Sequence, residues 1–241
     1  MIVRKIKTNL SFFQQSETEK YRLDTFFAKE PETIAWINSF AATGIFMDVG
    51  ANVGLYSLYA ASIRPHLKIY SIEPSFDNFL RLAQNCLLNK FSNIYPLNIA
   101  LSNRSGFDRL FCPKDEVGAS GAQVATPRDE SGNVFDIRRA QPILLQRYKD
   151  LNLPVRYLKI DVDGQEGKIM AGMQGNLGSI EQILIEVRKD KVAETTQWAR
   201  KYGFVLHPHL NSITNHSRHR RALEPGNTAE NLIFIKDGQP T

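Results

Sequence analysis

Short, nearly continuous apolar runs alternate with stretches of helical periodicity over most of this chain. The runs cover residues 44–49, 67–72, 93–99, 155–162, 180–187, 204–207 and 231–236. Such Ile/Leu/Val-dense runs suit parallel strands covered on both faces. Residues 54–62, 76–89, 165–173 and 191–202 read as helices between them. Strand and helix in repetition predict a doubly wound α/β sheet. The first forty residues read as mostly helical. There Pro31, Glu32 and Thr33 precede the apolar series Ile34, Trp36, Ile37 and Phe40, and proline is favoured near a helix start. The expected division is an N-terminal helical cap over 1–43 and one ligand-binding domain over 44–241.

Residues 103–142 break this rhythm with Gly106, Pro113, Gly118, Gly121, Pro127, Gly132 and Pro142. The stretch reads as an insertion with one or two short strands and a long loop, of the kind that usually serves function. A length of 241 residues and an apolar fraction of 42% fit one elaborated globular domain rather than a disordered chain. Two cysteines, Cys86 and Cys112, frame no disulfide scaffold and point to a reduced, cytoplasmic setting. No run reaches the roughly 18 apolar residues of a spanning helix, and the first residues hold no signal-peptide core, so no membrane partner is expected. The net charge of +5 permits an acidic partner without requiring nucleic acid.

The strongest local signal is Asp48-Val49-Gly50-Ala51-Asn52-Val53-Gly54, a strand end, a tight turn and a helix start. Turns of this kind sit at the carboxyl edge of open sheets, where α/β proteins bind ligands. Gly50 and Gly54 allow close backbone approach, and Asn52 tolerates the left-handed conformation. The turn fails as a nicotinamide fingerprint, because Asn52 and Leu55 stand where glycines are needed. No Gly-Lys-Ser/Thr follows, so it is not a P-loop. It suits a ligand with a cationic amino-acid end, with Asp48 facing the ammonium group.

Glu73, in Ile72-Glu73-Pro74, ends the second run 19 residues after Gly54, where a carboxylate accepts both hydroxyls of a ribose. Asn98 and Ala100 end the third run. The Ala100 N–H is placed to pair with a purine nitrogen; a plain strand end is equally consistent. In Lys159-Ile160-Asp161-Val162-Asp163-Gly164-Gln165-Glu166, strand alternation puts Lys159, Asp161 and Asp163 on one side. Asp161 is the candidate general base. A buried pair with Lys159 is the alternative, and Asp161, Asp163 and Glu166 together are able to hold a divalent cation. Ser120 in the insertion and His207 are candidate acceptor-binding residues, with Asp163. The basic stretch 207–221 either binds an anionic partner or is an exposed loop. Its histidine spacing matches no zinc pattern, and no metal is assigned.

The segments 48–57 (DVGANVGLYS), 72–74 (IEP), 100–103 (ALSN) and 158–173 (LKIDVDGQEGKIMAGM), in this order, resemble the FkbM family of methyltransferases; 231–236 (NLIFIK) resembles that family's last strand. The resemblance implies a Rossmann-like, mostly parallel seven-stranded sheet and S-adenosyl-L-methionine as cofactor. It places Asp48, Gly50, Ala51, Asn52 and Gly54 at the methionine end, Glu73 and Pro74 at the ribose, and Asn98 and Ala100 by the adenine. It also implies O-methylation of a small-molecule or glycan acceptor. No Asn/Asp-Pro-Pro-aromatic motif is present, which lowers amine methylation of bases. A non-catalytic cofactor-binding module that recognises an anionic partner through 207–221 is the competing reading.

Overall fold

The computed structural model describes residues 1–128, 132–213 and 229–238. Seven strands form the main sheet: β3 (Gly44–Val49), β4 (Leu67–Ile72), β5 (Ile94–Leu97), β10 (Tyr157–Ile160), β11 (Gln182–Arg188), β12 (Phe204–Leu206) and β13 (Ala229–Lys236). Their order is β12-β13-β11-β10-β3-β4-β5, and β13 alone runs antiparallel to its neighbours. This is the expected mostly parallel seven-stranded, doubly wound sheet. β3 occupies its centre between β10 and β4, so its carboxyl end opens at the point where the strand order reverses, the usual ligand site of such sheets.

Alternation along each strand splits the core into two layers. Phe46, Ile69, Tyr157 and Leu184 point to one face. There they meet α1 (Glu17–Lys29), α2 (Pro31–Asn38), α3 (Leu55–Ile63) and α4 (Phe76–Leu88). Ile45, Met47, Leu158, Ile160 and Ile185 point to the other, against α5 (Glu166–Gly172) and α6 (Val192–Lys201). The two faces differ at one row. Asp48 of β3 lies in register with Ser71 of β4 and Lys159 of β10, so a polar stripe crosses three strands inside the first layer.

The N-terminus departs from the mostly helical reading. A hairpin of β1 (Ile2–Lys5) and β2 (Ser11–Gln14) precedes the two helices. α4 satisfies the outer edge of β2: Asn89 Oδ1 accepts from the Ser11 N–H and Asn85 Oδ1 from the Phe13 N–H, each at 2.9 Å. α1 starts in a capping box between Ser16 and Glu19. The buried Glu19 carboxylate also pairs with Arg81 of α4, which fixes α1 over the sheet. α2 opens on Pro31 and is pinned by the fully buried Trp36, whose Nε1–H donates to Gln182 Oε1 at 2.8 Å. Burying such a side chain contributes about 1.5–3 kcal/mol.

A second sheet is built from β6 (Ala100–Ser102), β7 (Gly106–Phe111), β8 (Gln123–Val124) and β9 (Gln141–Arg147), in the order β6-β9-β7-β8. β7 and β8 lie within the expected insertion. Their pairing with β9 and β6 into a sheet with its own small core of Ala100, Leu110, Val124, Ile143 and Leu145 was not legible in the pattern. Among the described residues, no helix is long and apolar enough to cross a membrane.

Candidate functional site

The turn after β3 is shaped by two glycines in the left-handed region, and each is required by protein rather than by ligand. At Gly50 (φ +83°) a Cβ would stand 1.8 Å from the main-chain oxygen of Asp161. At Gly54 (φ +92°) it would meet Leu82 Cδ1 at 2.5 Å and Leu58 Cδ1 at 2.7 Å. Gly50 thus lets the end of β3 cross the end of β10, and Gly54 lets α3 begin against α4. The Gly50 and Ala51 N–H groups both donate to the Ile72 carbonyl, at 2.9 and 3.0 Å. Asn52 adopts φ +50°, as its residue type favours.

The turn and Glu73 form one unit. Glu73 Oε2 accepts from the Asn52 N–H at 2.8 Å and Oε1 from the Ser75 N–H at 2.9 Å. Asn98 supports this corner from behind, its amide donating to the Glu73 and Pro74 carbonyls at 2.9 and 3.0 Å. Glu73 is 5% exposed. Burial pushes its carboxyl up to about 7, against the pull of the two backbone donors.

A cavity of about 140 Å³ opens over this corner. Gly50, Asn52, Glu73, Pro74, Ser120, Asp161 and Asp163 all line it, so seven predicted site residues converge. Asp48, Ala51, Gly54, Asn98, Ala100 and His207 do not line it. Asp48 is fully buried behind the wall, where the Ser57 hydroxyl donates to its Oδ2 at 2.6 Å and Lys159 Nζ lies 3.9 Å from Oδ1. The cation that faces it is therefore the protein's own lysine. Ala100 is buried in β6, paired in register with Leu145. His207 caps a turn after β12, its Nδ1 accepting from the Leu210 N–H at 3.3 Å. Residues 214–221 of the basic stretch, with His216, Arg218, His219, Arg220 and Arg221, lie outside the described residues.

Asp161 directly follows β10 and reaches the cavity with its side chain about a quarter exposed. Lys159 Nζ lies 2.6 Å from its Oδ2, and the lysine is itself buried beneath the Tyr56 ring. The buried pair expected as the alternative thus exists, yet Asp161 still faces the cavity. Burial opposes the charged form of Asp161, but Lys159 and hydrogen bonds from Glu186 and Lys159 outweigh it and hold the carboxyl well below the ordinary range. Asp163 is pushed the other way, by burial and by the charge of Asp161. No group of three or more His, Cys, Asp or Glu among the described residues is arranged to hold a metal ion.

Several cavity residues were not singled out in the sequence. Glu186 is the one acidic residue of the largely apolar β11, a signal present in the sequence. Glu30 stands between α1 and α2, where its Oε2 accepts from the Tyr56 hydroxyl at 2.7 Å. Arg22, Phe26 and Lys29 form one face of α1 over the cavity. The insertion covers the corner from the opposite side. The Ala119 carbonyl accepts from the amides of Asn52 and Asn78 at 3.0 and 3.1 Å. Arg22 Nε donates to the Gly118 carbonyl at 2.6 Å, and the Gly121 N–H to Asp163 Oδ2 at 2.6 Å. A second cavity of about 200 Å³ lies beyond this segment, between Ser75, Cys112 and Gln141.

The profile of the methyltransferase FkbM domain matches residues 48–206. A hexuronic acid methyltransferase, AglP, of Haloferax volcanii is 24% identical over 176 residues, which span 73% of this chain and 69% of that protein. The methyltransferase sdnD of Sordaria araneosa is 26% identical over 163 residues, which span 57% of this chain and 63% of that protein. The crystal structure of a methyltransferase FkbM from Methylobacillus flagellatus aligns with 81% of this chain and 44% of its own, at 14% identity and a TM-score of 0.45.

Proposed function

The chain belongs to the FkbM family of methyltransferases, and from that premise we propose that it methylates a hydroxyl oxygen on a sugar, glycan or natural product. The cofactor, S-adenosyl-L-methionine, supplies an activated methyl group on a positively charged sulfonium. The cavity suits a cation: Glu30, Glu73, Asp161 and Asp163 line it against Arg22 and Lys29. The Asn52–Glu73 corner is the observation that carries the reading. Glu73 is fixed by two backbone donors with lone pairs left for a ribose diol, while Gly50 and Asn52 border the space where the amino-acid end would lie.

Catalysis here is mainly alignment of acceptor oxygen, methyl carbon and sulfur. The acceptor hydroxyl donates to Asp161. Bound here, S-adenosyl-L-methionine would supply the methyl carbon to the acceptor oxygen and keep on sulfur the electron pair of the broken carbon–sulfur bond. The oxygen becomes strongly acidic as the new bond forms, and its proton passes to the Asp161 carboxylate. A carboxylate held at low basicity by Lys159 suits this late transfer rather than early deprotonation. Residues 1–43 and the insertion act as the acceptor's lid; the contact between Arg22 and the Gly118 carbonyl supports this. The name of the Haloferax relative, a hexuronic acid methyltransferase, supports a sugar acceptor.

Calorimetric titration with S-adenosylhomocysteine, with NADH as control, tests the reading. Micromolar binding that is lost in Glu73→Ala is expected. A folded protein that binds neither ligand would overturn it. With a hexuronic acid glycoside as acceptor, Asp161→Asn is expected to lower turnover by roughly 10²–10⁴-fold, while S-adenosylhomocysteine still binds.

A further inference from the structure

Asp161 and Glu186 sit side by side on neighbouring strands. Ile160 of β10 is in register with Ile185 of β11; Asp161 follows just past the end of β10, and Glu186 is the next residue within β11. Alternation sends both side chains to the face that carries Tyr157 and Leu184, and both line the cavity. The two carboxyl groups are neighbours over one cavity, and like charges placed side by side favour a proton on one of them. The surroundings decide where it rests. Lys159 lies against Asp161 Oδ2 at 2.6 Å and favours the charged form there. Glu186 instead faces Asp161 and Glu30, with Lys29 as the cation on its side and the uncharged Asn231 as its register partner on β13.

We propose that Glu186 is a positioning residue for methyl transfer: it keeps its proton and donates it to Asp161, so that Lys159 and Glu186 lock the Asp161 carboxylate from two sides and leave its free lone pairs aimed at the acceptor hydroxyl. The proposal rests on the methyltransferase reading above. An ionised carboxylate offers about four acceptor sites, and these two donors occupy two of them. Charge repulsion from Asp161, then burial and Glu30, hold the Glu186 carboxyl well above the ordinary range, in accord with this assignment. A second charge at Glu186 would push Asp161 off the lysine and remove that orientation.

Two measurements separate the proposal from the reading it rests on. The first is a difference infrared spectrum of the ligand-free full chain, wild type minus Glu186→Gln, in the carboxyl stretching region. A protonated carboxyl band at neutral pH that the variant lacks is the expected result. Its absence would overturn the proposal whether or not any methyl is transferred. The second is the pH profile of methyl transfer to a hexuronic acid glycoside. Glu186→Gln keeps a donor, so it is expected to retain activity within about threefold and to lose the alkaline limb. Glu186→Ala is expected to lose at least about tenfold at neutral pH. If Glu186→Gln fell as far as Asp161→Asn, Glu186 would act as a charged base and the proposal would fail. A wild type that binds S-adenosylhomocysteine but methylates nothing would count against the functional reading, and the infrared band would still decide where the proton is.

Discussion

The main-chain N–H of Asn52 donates to Oε2 of Glu73 at 2.8 Å, joining the end of one strand to the turn after another. The bond exists because β3 and β4 are parallel neighbours in register from Gly44 and Leu67 to Val49 and Ile72. Both chains then turn at the same edge of the sheet. The left-handed conformation of Asn52 aims its N–H at the carboxylate, and the carboxylate in turn holds the turn in shape.

Glu73 gives the corner a pH dependence. Its carboxyl is near 7 when folded against about 4.5 as an ordinary glutamate, so the folded chain holds a proton that the unfolded chain has released between those values. Stability therefore falls as pH rises from about 4.5 to about 7, and Glu73→Gln is expected to remove a cost of up to about 3 kcal/mol. Affinity for S-adenosylhomocysteine has the opposite slope, rising through pH 7 as the carboxylate forms. Denaturant melts and calorimetry of both proteins over this range check the two slopes; parallel curves for wild type and variant would refute the assignment.

The two turn glycines are expected to differ on replacement by alanine. Gly50→Ala drives a methyl into the Asp161 backbone, which cannot yield without moving β10. A loss above about 4 kcal/mol, or failure to fold, is expected. At Gly54 the obstacles are the ends of Leu82 and Leu58, which can rotate, so about 2–3 kcal/mol is expected, mostly from the positive φ. Thermal unfolding of the two variants gives the order.

Lys159→Met leaves Asp161 and Asp48 without the cation between them, while the methionine fills a similar volume. Breaking a buried pair from one side costs about 3–5 kcal/mol. Because Lys159 depresses the Asp161 carboxyl, its stabilisation is full at neutral pH and is lost as pH falls below the ordinary carboxylate range. The difference between wild type and variant is expected to narrow in acid. Urea denaturation at neutral and acidic pH measures it, and a difference that widened in acid would contradict the pairing.

Asn78 holds the segment 116–122 twice, accepting from the Gly118 N–H at 2.7 Å and donating to the Ala119 carbonyl. Asn78→Ala is expected to speed hydrogen exchange across residues 116–122 by about thirtyfold, since two bonds worth about 1 kcal/mol each are lost, while strands β3 and β10 exchange unchanged. Unaltered exchange in the segment would show that its other partners, Ser16, Arg22, Asn52 and Asp163, hold it without Asn78.

The sequence by itself determined the main sheet and the corner of the site. Apolar runs buried on both faces are local signals, and the parallel register that joins Asn52 to Glu73 follows from them. It placed α4, read as a helix over 76–89, but not the face that α4 buries. That helix buries Asn78, Arg81 and Asn85, while Phe76, Leu80 and Leu87 are 56%, 46% and 79% exposed. A polar stripe ordinarily faces water, but here it serves as hydrogen-bond donor and acceptor to the edge of β2, the turn at Val53 and the segment at Gly118, partners far away in the chain. The same limit hid the hairpin, whose outer edge exists only against α4, and the second sheet, whose strands are short and find partners across an insertion. Glu186 was one charge in an apolar strand until the register of β10 and β11 set it beside Asp161. Hydrophobic periodicity records which face of an element is dry. It does not record which distant donor or acceptor meets a polar side chain there, and that pairing is what the tertiary structure decided.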